Sequence, residues 1–171
     1  MMEKETQRSK ETEAAQPSYY DIMYGLQERA RQRALQGKVV IRGKEQPWQQ
    51  ARQGRFRYFL HLAMHDTAVQ GWRFFVQDIR THSGRHRHQG GLCIYVIEGK
   101  GWTTVDGVRH DWEEGDLILL PVKPRGCEHQ HFNAEPGAPC KWLAFIYQPY
   151  VDALGNEMEQ KEVSPDWAGQ A

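Results

Sequence analysis

The chain predicts an all-β sandwich or barrel preceded by a single helix, on three observations. From Val39 onward the apolar residues leave helical periodicity and gather in short segments rich in β-branched and aromatic side chains. Gly, Pro, Asp or Asn stands in the breaks between them. The spacing of those breaks is regular, as it is in antiparallel sandwiches and barrels.

Taken in order, "MMEKETQRSKETEAAQP" (1–17) is charged, polar and nearly free of large apolar residues. It cannot bury enough surface to offset its ordering entropy and reads as a tail. The helix is expected over 18–37. Ser18 with Asp21 three places on is an N-cap signature, Tyr19, Met23, Leu26 and Ala30 share one face, and Gly37 is a stop. Its expected role is packing, on the outside of the domain or on a partner subunit. The β-domain is expected over 38–150, in "KVVIRG", "RFRYFLHL", "GWRFFVQDIR", "LCIYVIEG", "GWTTVDG", "DLILLP" and "CKWLAFIYQP". Asp106-Gly107 suits a two-residue hairpin turn. After Tyr150 the chain turns polar, and 151–171 reads as a C-terminal tail or a strand exchanged with a neighbour.

Composition excludes some functions. The 22 acidic and 22 basic residues cancel, so no charge excess builds a nucleic-acid or membrane surface. No apolar run is long enough for a membrane span and no signal-peptide core opens the chain, so a cytoplasmic protein is expected. Cys93, Cys127 and Cys140 are odd in number with no CxxC pairing, which argues against a disulfide framework.

Eight histidines sit at 61, 65, 82, 86, 88, 110, 129 and 131. Two pairs are spaced i, i+2: "HRH" at 86–88 and "HQH" at 129–131. Alternate residues of a strand face the same side, so each pair aims two imidazoles in one direction. If those strands are neighbours, three or four rings converge. Three neutral imidazoles on one face bind iron, zinc, nickel or copper and leave positions open for water, substrate or dioxygen.

The flanks of these pairs resemble the two cupin motifs. In "HRHQGGLCIYVIEGKG" an H-x-H leads into a strand and a glycine, as in the first motif. "GDLILLPVKPRGCEHQHFN" is similar to the second, with Gly115-Asp116 at its start and Pro124, Gly126, His129 and Asn133 at its end. The resemblance implies a single cupin jelly-roll (double-stranded β-helix) barrel. The match departs where the first motif's opening glycine falls on Arg80, where 115–124 is three residues longer than the usual pattern, and where the downstream chain matches no motif. It also departs at Leu92, which stands in the place of the ligand glutamate. Leucine cannot bind a metal, so the resemblance implies a three-histidine site of His86, His88 and His129.

Locally the chain is most like the gentisate and salicylate ring-cleaving dioxygenases, which implies Fe(II), dioxygen and a small-molecule substrate. In that likeness His131 touches substrate or bound oxygen and Gln77 is a pocket glutamine. As a histidine, His131 can serve as an acid/base near neutral pH or hydrogen-bond backbone at the barrel mouth. Trp72, upstream on the segment of Gln77, is expected to line the pocket. By parity Leu92 and Ile94 face inward with the ligands. Ile94 stands where that group carries its substrate-carboxylate arginine. A buried carboxylate without a cation costs several kcal/mol, so gentisate itself is disfavoured unless Arg55, Arg57 or Arg80 supplies the charge. Two alternatives stay open: a non-oxidative metal cupin (isomerase, lyase or decarboxylase) using Zn, Ni or Mn, and a non-enzymatic small-ligand cupin. A homodimer or higher homo-oligomer is expected by analogy.

Overall fold

A computed structural model describes residues 16–169; all but two residues of the 1–17 tail lie outside them. Two units are distinguished. The first contains helix α1 (Tyr19–Gln36) and the loop 66–69. The Ser18 hydroxyl accepts the Asp21 amide while the Asp21 carboxylate accepts the Ser18 amide, a capping box that closes the first turn. The Gly37 amide bonds to the Arg33 carbonyl, and Lys38 pairs with Asp66 at 2.6 Å. Among the described residues no helix is long and apolar enough to cross a membrane.

The second unit is the β-domain, two antiparallel sheets carrying eleven described strands. The first sheet contains β1 (Trp48–Ala51), β2 (Gly54–Leu60), β3 (Trp72–Asp78), β10 (Lys141–Tyr147), β5 (Leu92–Glu98) and β8 (Leu117–Leu120), in that spatial order. The second runs β11 (Glu159–Glu162), β4 (Arg85–His88), β9 (Cys127–Asn133), β6 (Lys100–Val105), β7 (Val108–Glu113). Together they make a two-sheet jelly roll. Its core draws on both sheets: Phe56, Ile94, Val96, Trp142 and Ala144 from the first, Trp112 and Cys127 from the second. Along β5, Leu92, Ile94 and Val96 are buried while Cys93 and Tyr95 are exposed, the alternation of a strand with one face in the core.

Turn chemistry sets the registers. At Asp106 and Gly107 φ is 48° and 83°, so both central residues of the β6–β7 hairpin are left-handed, the geometry that matches strand twist. Gly90, between β4 and β5, has φ of 84°, and a Cβ there would stand 1.9 Å from the Pro121 carbonyl oxygen. Only glycine fits. At the far end of β9 the buried Asn133 amide donates to the carbonyls of Ile79, Arg80 and Ala138, and its oxygen accepts the Glu135 amide, tying two loops together.

The polar C-terminal stretch is not a tail. A short helix α2 (Gln148–Ala153) follows β10, and β11 pairs antiparallel with β4 of the same chain, Gln160 opposite His86. Its polar sequence reflects position: an edge strand buries little side chain, and its backbone bonds carry no compositional signal.

Candidate metal centre

Register brings the two histidine pairs together. β4 lies beside β9 with His86 directly opposite His129, and β9 lies beside β6 with His131 opposite Thr103. The His86 and His129 ring centroids are 4.2 Å apart, those of His88 and His129 4.8 Å, and those of His86 and His88 5.3 Å. One ring nitrogen from each of the three lies within 4.8 Å of the others.

These imidazoles are neutral. Burial holds His86 and His88 down to about 4 and His129 to about 3, with a neighbouring histidine as the next cause in each case. Neutral imidazole is the form that donates a lone pair to a metal. The backbone orients two of the rings. His129 Nδ1 lies 3.1 Å from the Cys127 carbonyl oxygen, so it carries the proton and leaves Nε2 free. The Gly90 amide donates to His88 Nδ1 at 2.9 Å, fixing that ring against the glycine turn. His86 Nδ1 is buried with no hydrogen-bond partner among the described residues. The Gly90 bond places the His88 proton on Nε2 in the metal-free ring. His86 and His129 thus offer free lone pairs, and His88 becomes the third ligand on exchanging that bond for the ion; the set fits a divalent transition metal.

His131 differs from the expectation of an acid/base that changes charge near neutrality. It is fully buried, and burial, with His129 as the next cause, pushes it well below the ordinary histidine range. The Trp112 indole donates to Thr103 Oγ1 at 2.9 Å, and Thr103 Oγ1 lies 2.8 Å from His131 Nδ1. An indole N–H can only donate, and the buried threonine proton needs an acceptor. Thr103 therefore donates to Nδ1, and the His131 proton sits on Nε2.

The rings border a cavity of about 670 Å³, within the usual range for small-molecule sites of about 300–1,000 Å³. Gln77, Leu92 and Ile94 line it, as do His86, His88, His129 and His131. The Gln77 amide donates to the Gln53 carbonyl oxygen at 2.6 Å. Trp72 does not line it. Side chains on β3 alternate, and Trp72 lies on the other face, stacked on Phe74 at 5.3 Å and against Tyr147 at 4.8 Å. Nor do the arginines named from sequence reach it. Arg55 pairs with Asp78 and lies over Trp48, Arg57 also lies over Trp48, and Arg80 is exposed.

Arg52 and Arg73 line the cavity instead, with Asn156, Met158, Gln160 and Trp167 from the C-terminal segment. For Arg73 a signal existed: it shares parity with Phe75 and Gln77. The C-terminal residues carried no local signal, because only the pairing of β11 with β4 brings them there.

Residues 74–146 match the family model described as the cupin domain. Gentisate 1,2-dioxygenase from a Streptomyces species is 41% identical over 70 residues, covering 40% of this chain and 18% of the relative. Gentisate 1,2-dioxygenase from a Ralstonia species is 34% identical over 85 residues, 47% of this chain and 23% of the relative. The chain thus matches about a fifth of the length of these curated relatives. In fold it is similar to a variant of salicylate 1,2-dioxygenase from Pseudoaminobacter salicylatoxidans solved with gentisate, at a TM-score of 0.50 and 23% identity, over 86% of this chain and 39% of that one. Two jelly-roll sheets, two H-x-H strands joined at His86 and His129, and the match over 74–146 lead to one conclusion: the β-domain has a cupin-type fold, and residues 74–146 within it are similar to the cupin domain.

Proposed function

We propose that this domain is a three-histidine, metal-dependent dioxygenase that cleaves a C–C bond of a small aromatic or enol-type substrate with O2. The observation that carries the reading is the trio of neutral imidazoles at the wall of a largely apolar cavity. His86, His88 and His129 would hold the metal, favoured as Fe(II), which when bound supplies the redox chemistry with O2.

The chain's own residues do the rest. Phe56, Phe75, Ile94, Trp142 and Ile146 keep water from the cavity, which strengthens every polar contact inside it. Gln77, pinned through its amide nitrogen, keeps its carbonyl oxygen for a substrate hydroxyl. His131, protonated on Nε2, is a neutral donor that holds a negative oxygen without giving up its proton. The dioxygenase activity in the relatives' names supports this reading. Three imidazoles also accept Zn, Ni or Mn, so the metal decides between the dioxygenase and a non-oxidative metal cupin.

The test is anaerobic purification with metal analysis, then oxygen uptake by Fe(II)-loaded protein against catechols, hydroxybenzoates and β-diketones. Iron with substrate-dependent uptake is the expected result. A zinc, nickel or manganese protein that turns over without consuming oxygen overturns it. The expected homo-oligomer is proposed through the outer face of the first sheet. There Leu117, Leu119, Tyr95, Phe145 and Tyr147 are exposed on adjacent strands, a contiguous apolar face that a second copy could cover.

A further inference from the structure

Arg73 is the second residue of β3, on the face that carries Phe75 and Gln77 into the cavity. Its Nε is buried and has no hydrogen-bond partner among the described residues. The groups that attract it, the Tyr58 phenol and the Asp152 carboxylate, act through space, and the Gln148 amide donates to that carboxylate. Arg73 is also near enough to His88 to disfavour a charge there. None of the described lining residues is acidic, while two arginines are present, and Arg52 is the exposed one. A half-buried guanidinium with no carboxylate at ion-pair distance among the described residues, set in a wall of aromatic and aliphatic side chains, is costly to keep. A bound anion would remove that cost.

We propose that Arg73 is the specificity-determining cation of this cavity and that its ligand is a small molecule bearing a carboxylate. The planar guanidinium matches a carboxylate with two parallel N–H···O bonds, which an ammonium cannot reproduce. With the anion on β3 and the metal-binding rings on β4 and β9, the ligand spans the cavity from one sheet to the other. The inference takes from the proposed function only that the cavity binds a small molecule; it requires no turnover.

The probes are salicylate and its uncharged amide, salicylamide, titrated at pH 7 into the full chain by calorimetry, with and without Fe(II). The wild type is expected to bind salicylate about tenfold tighter or more. Arg73→Met is expected to abolish that preference while leaving salicylamide binding within about twofold of the wild type, and Arg73→Lys to restore it in part. Equal affinity of the wild type for the two probes, binding of neither, or a preference that survives in Arg73→Met overturns the proposal. The wild-type comparison decides even if Arg73→Met fails to fold. A charge preference without oxygen uptake removes the dioxygenase reading and leaves Arg73 standing. Oxygen uptake without a charge preference does the reverse.

Discussion

Three buried imidazoles and the half-buried His86 make this protein acid-sensitive when no metal holds them. His86 and His88 titrate at about 4, His129 at about 3 and His131 well below its ordinary value in the folded chain, against 6.5 once unfolded. The sign follows from proton counting: between pH 6.5 and about 4 the unfolded state binds protons that the native state refuses, so stability falls as pH falls. At pH 5.5 each ring contributes a loss of about 1.4 kcal/mol relative to neutral pH, about 5 kcal/mol for the four together. That is a large part of the 5–15 kcal/mol stability of an ordinary domain. The assay is urea unfolding followed by tryptophan fluorescence in chelator, at pH 7.5 and 5.5. With a slope of about 2 kcal/mol/M, the midpoint should drop by roughly 2.5 M. Carboxylates held low by lysine, such as Asp106 beside Lys123, lose stability only at lower pH and do not blur this window. A midpoint that moves by less than about 0.5 M would show that the rings are not buried neutral, and the electrostatic account of the site would fail.

His129→Ala removes the ring between the other two, and metal content by elemental analysis should fall from about one ion per chain to below about a tenth. Thr103→Val leaves the Trp112 indole and His131 Nδ1 without partners in the core, and calorimetric or urea unfolding should show a loss of about 2–4 kcal/mol. Gly90→Ala forces a Cβ against the Pro121 carbonyl and a left-handed φ on alanine; a loss of about 2 kcal/mol or more, with weakened metal uptake through the displaced His88, is the expected outcome. Gel filtration with light scattering checks the apolar sheet face, where Leu119→Glu should shift an oligomer toward monomer.

Local pattern carried much of this protein. The period-two alternation of "LCIYVIEG", the Asp106-Gly107 turn and the Ser18–Asp21 cap are written in neighbouring residues, because each depends on interactions within a few positions along the chain. The two H-x-H pairs announced rings on shared strand faces for the same reason, and parity placed Leu92 and Ile94 inward. The error at Trp72 was a local one as well, since Gln77 and Trp72 have opposite parity on one strand and cannot share a wall.

Tertiary structure decided what strand alternation cannot express. The register that sets His86 beside His129 joins residues 43 positions apart, and a one-residue slip would have turned the rings away from each other. The same long-range pairing folds β11 onto β4 and makes a polar C-terminal segment part of the cavity wall. The charge state of the rings belongs to the fold too. Desolvation is a property of the whole enclosure, and the sequence of a strand holds no record of how much water its neighbours exclude.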